Sequence, residues 1–429
     1  MSRMKAFDYH PVFQKTTLRN GVRVVTEHHP FTRSVSAGIF VDLGTRDEPK
    51  ELGGAAHFIE HLVFKGTRRR TAFEIAKSLE EVGGELNAYT SREYTCFHAG
   101  CLREHLPLAL DVLVDLISRA QFSNEDFLNE REVVMHEIDM SMDDFEEYIF
   151  DLYFESAFEG HNLGRPILGT VESLKSMTRK KIMKYYQSLY RGSNLIVSVA
   201  GNVDHDDVVN MDEKGLRASS GRLPEQNRRK PKLKGFRRFV HRPSEQVHLL
   251  MGVPSCSFRD DLRFESYIVN ALLGGGMTSR MYQVVREKRG LAYSVYSYLV
   301  SFTDSGVITF YASTAEKNVR QTLRLMKHEI ERLRRSGIND RDLNLFKTQV
   351  KGQILLGADD VENRMNSLAV NEMIFGKYRP VDQVIEEIEK VSKASVKKYL
   401  QRFLDFDQVG VLLLGDLERQ AAEDFFSNL

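Results

Sequence analysis

The chain repeats itself, and that limits the folds open to it. Val35–Leu43 (VSAGIFVDL) reads as a strand and is followed by a Gly-Gly pair and an apolar helical run, Ala55–Phe64; Val247–Val253 (VHLLMGV) is followed by Glu265–Leu273 (ESYIVNALL). Gly84–Thr90 (GELNAYT) resembles Gly290–Ser294 (GLAYS), and each leads into an alternating strand. Ser123–Phe127 (SNEDF) and Asn339–Leu343 (NDRDL) each open a long helix. Arg165-Pro166 answers Arg379-Pro380, and Val199–Val203 answers Leu413–Leu417. The matches come in order, offset by about 206 to 216 positions, as two homologous domains of about 200 residues require. The length of 429 residues agrees, because single cores stop growing near roughly 250–300 residues.

Each half reads as strands, then long helices, then a last strand. Leu106–Ile117 and Val319–Leu333 have apolar residues at helical spacing, while Tyr94–Gly100 and Val307–Ala312 alternate. The expected class is α+β, a sheet with helices packed over one face, used twice. Met211–Gly235 is polar, has no apolar period and reads as a linker, with a basic run from Arg228 to Arg238 taken as solvated. The expected division is 1–210, a linker over 211–235, and 236–429.

Composition removes several function classes. Lys+Arg and Asp+Glu both number 60, so the basic excess of a nucleic-acid binder is missing and no such partner is expected. No run approaches the roughly 18 apolar residues of a membrane span, and the N-terminus lacks the apolar stretch of a secretory signal. Three cysteines, Cys96, Cys101 and Cys256, cannot build a disulfide framework and are expected as core thiols in a reducing compartment. A cytoplasmic protein without a membrane partner is expected.

The sharpest chemistry lies in GGAAHFIEHLVFKGT, where His57, Glu60 and His61 stand in the order H-x-x-E-H. On a helix the two histidines are i and i+4 and leave from one face, with Glu60 beside them. Two imidazoles at this spacing suit Zn²⁺, and the carboxylate can handle protons. A zinc site needs a third protein ligand. NEREVVMHEIDM offers Glu130, Glu132 and Glu137, among which local pattern does not choose; His136 points about 100° away from Glu137 on a helix and is set aside.

Together these motifs resemble the M16 (insulinase-like) metallopeptidases, in particular the half-length group that includes mitochondrial processing peptidase and bacterial relatives. H-x-x-E-H followed by E-x6-E, here with 75 residues between His61 and Glu137, is that family's zinc signature. The resemblance implies His57, His61 and Glu137 as ligands of one Zn²⁺ per chain, Glu60 as the base, and Glu130 as a carboxylate that orients a ligand. ELNAYT resembles the family's substrate-pairing edge strand, which makes Asn87 and Ala88 substrate contacts. LLGGGMTSRMYQVVREKRGLAY resembles the second-domain signature, with Arg286 and Tyr293 completing the active site. LGRPILGT is a further family-like stretch without evident chemistry.

The implied fold is a pair of tandem α+β domains of the LuxS/processing-peptidase-like metallohydrolase type. Two such chains would enclose a chamber, with the Arg/Tyr pair acting on the partner's zinc. The internal offset places Phe346 opposite Glu130 and Gln353 opposite Glu137, so the second domain is expected to be metal-free. The implied reaction is hydrolysis of peptides bound as an extended strand. A homodimer is the simplest partner reading, with a heterodimer as the other possibility. Glu147 and Asp151, four residues apart on a helix, match acids that hold a substrate arginine in processing peptidases. The competing class is a non-catalytic scaffold subunit, which zinc content would distinguish.

Overall fold

In the computed structural model, residues 11–216 and 228–427 are described. The chain divides into two compact units, one made of 1–135, 167–227 and 357–379, the other of 136–166, 228–356 and 380–429. The division passes through the continuous helix Asn124–Asp143.

The first unit is built on strands β1 (Val12–Thr17), β2 (Arg23–His28), β3 (Ser34–Val41), β4 (Glu85–Thr90), β5 (Thr95–Leu102) and β6 (Leu195–Gly201). Their order is β1-β2-β6-β3-β5-β4, so β4 forms an edge. β2 and β6 are parallel; every other neighbouring pair is antiparallel.

The second unit has β7 (Phe236–His241), β8 (Val247–Pro254), β9 (Ala292–Ser301), β10 (Gly306–Thr314) and β11 (Gly410–Gly415), in the order β7-β11-β8-β10-β9. Again a single parallel pair, β7 with β11, is followed by antiparallel neighbours. The two sheets share one topology, with β1 as an addition. The ladders also correct one sequence correspondence. Tyr89 pairs with Cys96, the β5 partner of Phe40; Tyr298 pairs with Thr309, the β10 partner of Gly252. Tyr298 therefore takes the place of Tyr89, and the GLAYS segment sits earlier on its strand than the motif match suggested.

Helices cover both faces of each sheet, not one. β6 and β11 are buried at every residue, as strands covered on two sides must be. In the first unit, Leu106–Arg119 packs on β5 and β3, while Val361–Phe375 packs on β6, β3 and β2. The latter brings Met365, Leu368 and Ala369 against Val25, Phe40 and Ile196. In the second unit, Arg263–Gly274 and Val319–Ser336 share one core with Leu249, Phe310 and Leu413. Phe145–Ala157 covers the other face, placing Tyr153 and Phe154 with Leu250 and Leu412.

Cutting the chain at 210 and 236 therefore separates the strands but misassigns two helices. Val361–Phe375, from the second half, belongs to the first unit, and Phe145–Ala157, from the first half, belongs to the second. A sheet apolar on both faces must find a second cover, and neither repeat takes it from its own stretch of sequence. The linker also starts later than expected. The helix His205–Gly215 runs into it, and Leu216 is buried, its carbonyl accepting from Asn20 Nδ2 at 3.0 Å. Residues 217–227 of that segment lie outside the described residues.

Candidate metal centre and substrate edge

The helix Ala55–Val63 buries Ala55, Phe58, Ile59, Leu62 and Val63, so the period that fixes its inner face also fixes where His57 and His61 go. Their rings lie 4.6 Å apart between centroids, tilted by 63°. One ligand atom each from His57, His61 and Glu137 fall within 4.8 Å of one another, and this is the one such group of three among the described residues. Two imidazoles and a carboxylate converging at that separation match the donor set and spacing of a tetrahedral zinc site with one position left open.

Of the three acids left open by local pattern, Glu137, the one the resemblance implies, joins the histidines. Glu132 is exposed, and so is His136. Glu130, two turns before Glu137, is 4% exposed and places Oε2 3.2 Å from His61 Nδ1. Its other oxygen, Oε1, is 2.8 Å from Lys65 Nζ. Glu60 accepts a hydrogen bond from Thr90 Oγ1 at 2.5 Å, which ties it to the edge strand β4.

The start of the histidine helix is held by a buried acid. Glu48, 1% exposed, accepts from the backbone N–H of Gly54 at 2.8 Å and of Ala56 at 2.7 Å. Its charge meets the unsatisfied donors and positive dipole end of the helix. Gly54 at φ 90° is left-handed, and a Cβ there would stand 2.6 Å from the carbonyl oxygen of Leu168. A Cβ on Gly169, at φ 77°, would collide with the backbone of Gly53. The LGRPILGT stretch thus has a structural task, packing backbone to backbone under the turn that launches His57. Sequence reasoning missed Glu48, Thr90 and Lys65. Only Lys65 left a signal, its i+4 spacing from His61.

Asn87 is exposed and Ala88 half-buried on β4, the edge of the first sheet. An edge strand presents backbone donors and acceptors to an added strand. In the second unit, Arg286 lies on a π-helical turn, Tyr282–Glu287, and its guanidinium carbon sits 4.8 Å from the ring centroid of Tyr293 and 5.0 Å from that of Tyr282. Tyr293 is 74% exposed, so the pair is preformed and its phenol is accessible. Glu147 is exposed and Asp151 half-buried on the helix Phe145–Ala157.

The three cysteines are free and buried. Burial pushes the Cys101 thiol up to about 11 and raises those of Cys96 and Cys256 as well, which suits inert core thiols. Among the described residues no helix is long and apolar enough to cross a membrane.

The chain resembles known proteins along most of its length. The family profile described as "Insulinase (Peptidase family M16)" matches residues 23–171, and that described as "Peptidase M16 inactive domain" matches 176–350. An uncharacterized zinc protease of Streptomyces coelicolor is 38% identical over 396 residues, spanning 90% of this chain and 85% of that protein. The uncharacterized zinc protease YmxG of Bacillus subtilis is 34% identical over 402 residues, spanning 94% and 98%. The fold is that of a protease from Helicobacter pylori, with a TM-score of 0.86 at 21% identity, covering 94% of this chain and all of that one.

Proposed function

The chain belongs to the insulinase family of peptidases, family M16, and from that premise we propose that it is a zinc-dependent endopeptidase acting on peptides or unfolded segments bound in extended form. The observation that carries the reading is the convergence of His57, His61 and Glu137 to within 4.8 Å, with Glu60 on the same helix. Bound there, zinc would supply Lewis-acid activation of water and of the scissile carbonyl.

The chain's own residues supply the rest. His61 donates from Nδ1 to Glu130, leaving Nε2 for the metal. Glu60 takes a proton from the attacking water and returns it to the leaving amine. The hydroxyl of Thr90 holds one Glu60 oxygen and so orients the carboxylate beside β4. Substrate adds beside β4 at Asn87 and Ala88, where main-chain pairing tolerates varied side chains. Arg286 and Tyr293 are donors suited to a developing oxyanion. In a homodimer they would act on the other copy's site, and Glu147 with Asp151 would favour a basic substrate side chain.

The decisive experiment pairs metal analysis with hydrolysis of a mixed peptide library. The purified protein should carry one zinc per chain and lose activity to a chelator. Glu137→Gln should lose zinc affinity, and normal zinc content with normal activity in that variant would sink the ligand assignment. Mixing Glu60→Gln and Tyr293→Phe chains should restore partial activity if the pair acts across a dimer. No recovery from demonstrated mixed dimers would mean it does not.

A further inference from the structure

We propose that Lys65 is a positioning residue for the metal centre, acting through Glu130 on His61. The inference rests on the zinc reading above and adds a residue to it. Lys65 follows the histidine helix, one turn beyond His61, and its Nζ lies 2.8 Å from Glu130 Oε1. The opposite oxygen, Oε2, is 3.2 Å from His61 Nδ1. Glu130 is nearly sealed from solvent, while the Lys65 side chain keeps about a third of its surface exposed.

A carboxylate buried to that degree needs partners for both oxygens. An imidazole N–H satisfies only one. The ammonium satisfies the other and supplies the opposite charge that makes burial tolerable. Its position also restrains rotation of the Glu130 carboxylate, because each of the two oxygens has its own partner. That fixes the acceptor for Nδ1–H, and with it the tautomer and plane of the His61 ring. Without the lysine, Glu130 can turn its free oxygen toward water and release His61 to other rotamers. The zinc-facing nitrogen is then no longer held in place before metal arrives. The ion pair is therefore more than a surface contact, for it is the outer link of a chain that ends at a ligand.

Partners of metal-bound histidine typically contribute 10–100-fold to metal affinity. The test measures zinc dissociation constants of the full chain by competition with a chromogenic chelator, using Lys65→Met, Lys65→Arg, Glu130→Gln and the double variant Lys65→Met/Glu130→Gln. Lys65→Met should bind zinc about 10–100-fold more weakly, and Lys65→Arg should recover most of the loss because it keeps the charge and reach. In the Glu130→Gln background, Lys65→Met should add little, since the link is already cut. Melting of the metal-free variants reads folding separately, and Lys65→Arg remains informative if Lys65→Met folds poorly. Wild-type affinity in Lys65→Met, or an equal loss with and without Glu130, would overturn the proposal while leaving the zinc site intact. A wild-type chain that fails to bind zinc would overturn both.

Discussion

β2-β6-β3-β5-β4 and β7-β11-β8-β10-β9 share one order and one pattern of parallel and antiparallel neighbours, but the helices attached to them differ in what they carry. Asn124–Asp143 and Asp340–Ala358 are counterparts by their place in the repeat. Glu130 is the buried acid of the first, and Phe346, at the same distance from the helix start, is buried in the second among Leu343 and Val350. Glu137 joins the histidines, whereas Gln353 is exposed. Arg263–Gly274, which follows β8 as the histidine helix follows β3, has no histidine at all. One scaffold thus accepts a cluster of polar side chains or an apolar core at the same helical position. The sheet depends on strand pairing and burial, and the chemistry depends on a few side chains that the sheet does not need.

The largest effect tests the chemistry of the first repeat. Glu60→Gln should keep its zinc, because Glu60 stands outside the group of His57, His61 and Glu137, and lose about 10²–10⁴-fold in kcat. Zinc content and turnover measured on the same sample check both halves of that expectation. Loss of zinc in this variant would make Glu60 part of the metal cage.

The next effect tests the helix exchanged between the repeats. Arg364, on Val361–Phe375, donates from Nε and Nη2 to the two oxygens of buried Glu27 at 2.7 and 2.6 Å, and His29 Nε2 lies 2.7 Å from the same carboxylate. Burial alone would raise the Glu27 carboxyl, but His29 and Arg364 outweigh it and hold it at about 2. Arg364→Met should destabilise the fold by about 3–5 kcal/mol, as removing one partner of a buried pair does. The depressed carboxyl gives the sign with pH. Its stabilisation is complete above the ordinary value of 4.5 and is lost as pH falls toward 2. Denaturant melts of metal-free protein between those limits should lose stability in the wild type, and Arg364→Met should flatten that slope.

A smaller effect separates the two edge strands. Thr90→Val on β4 removes the hydrogen bond to Glu60, a loss of about 1.5–3 kcal/mol in transition-state stabilisation, or about tenfold or more in kcat. Zinc affinity should hold, and Thr90→Ser should retain most activity. An unchanged kcat in Thr90→Val would reduce that contact to packing. The smallest effect belongs to the second repeat. Gln353→Glu restores the acid of the first repeat at an exposed position, and should shift stability by less than about 0.5 kcal/mol and bind no zinc.

Much of this molecule was legible in the order of its residues. The repeat, the apolar period that turns His57 and His61 to one face, and the seven-residue spacing of Glu130 and Glu137 are local patterns, and local patterns survive without a partner in view. Tertiary structure decided the contacts those patterns left open. It chose Glu137 over Glu132 for the histidines, set Glu48 under the helix start, and brought Thr90 to Glu60. It also moved Val361–Phe375 onto the sheet of the other half. Periodicity fixes which face of an element is buried, because the same 3.6- or 2-residue repeat recurs along it. It says nothing of which distant segment arrives to bury that face, since that choice rests on shape, charge and packing between residues far apart in the chain.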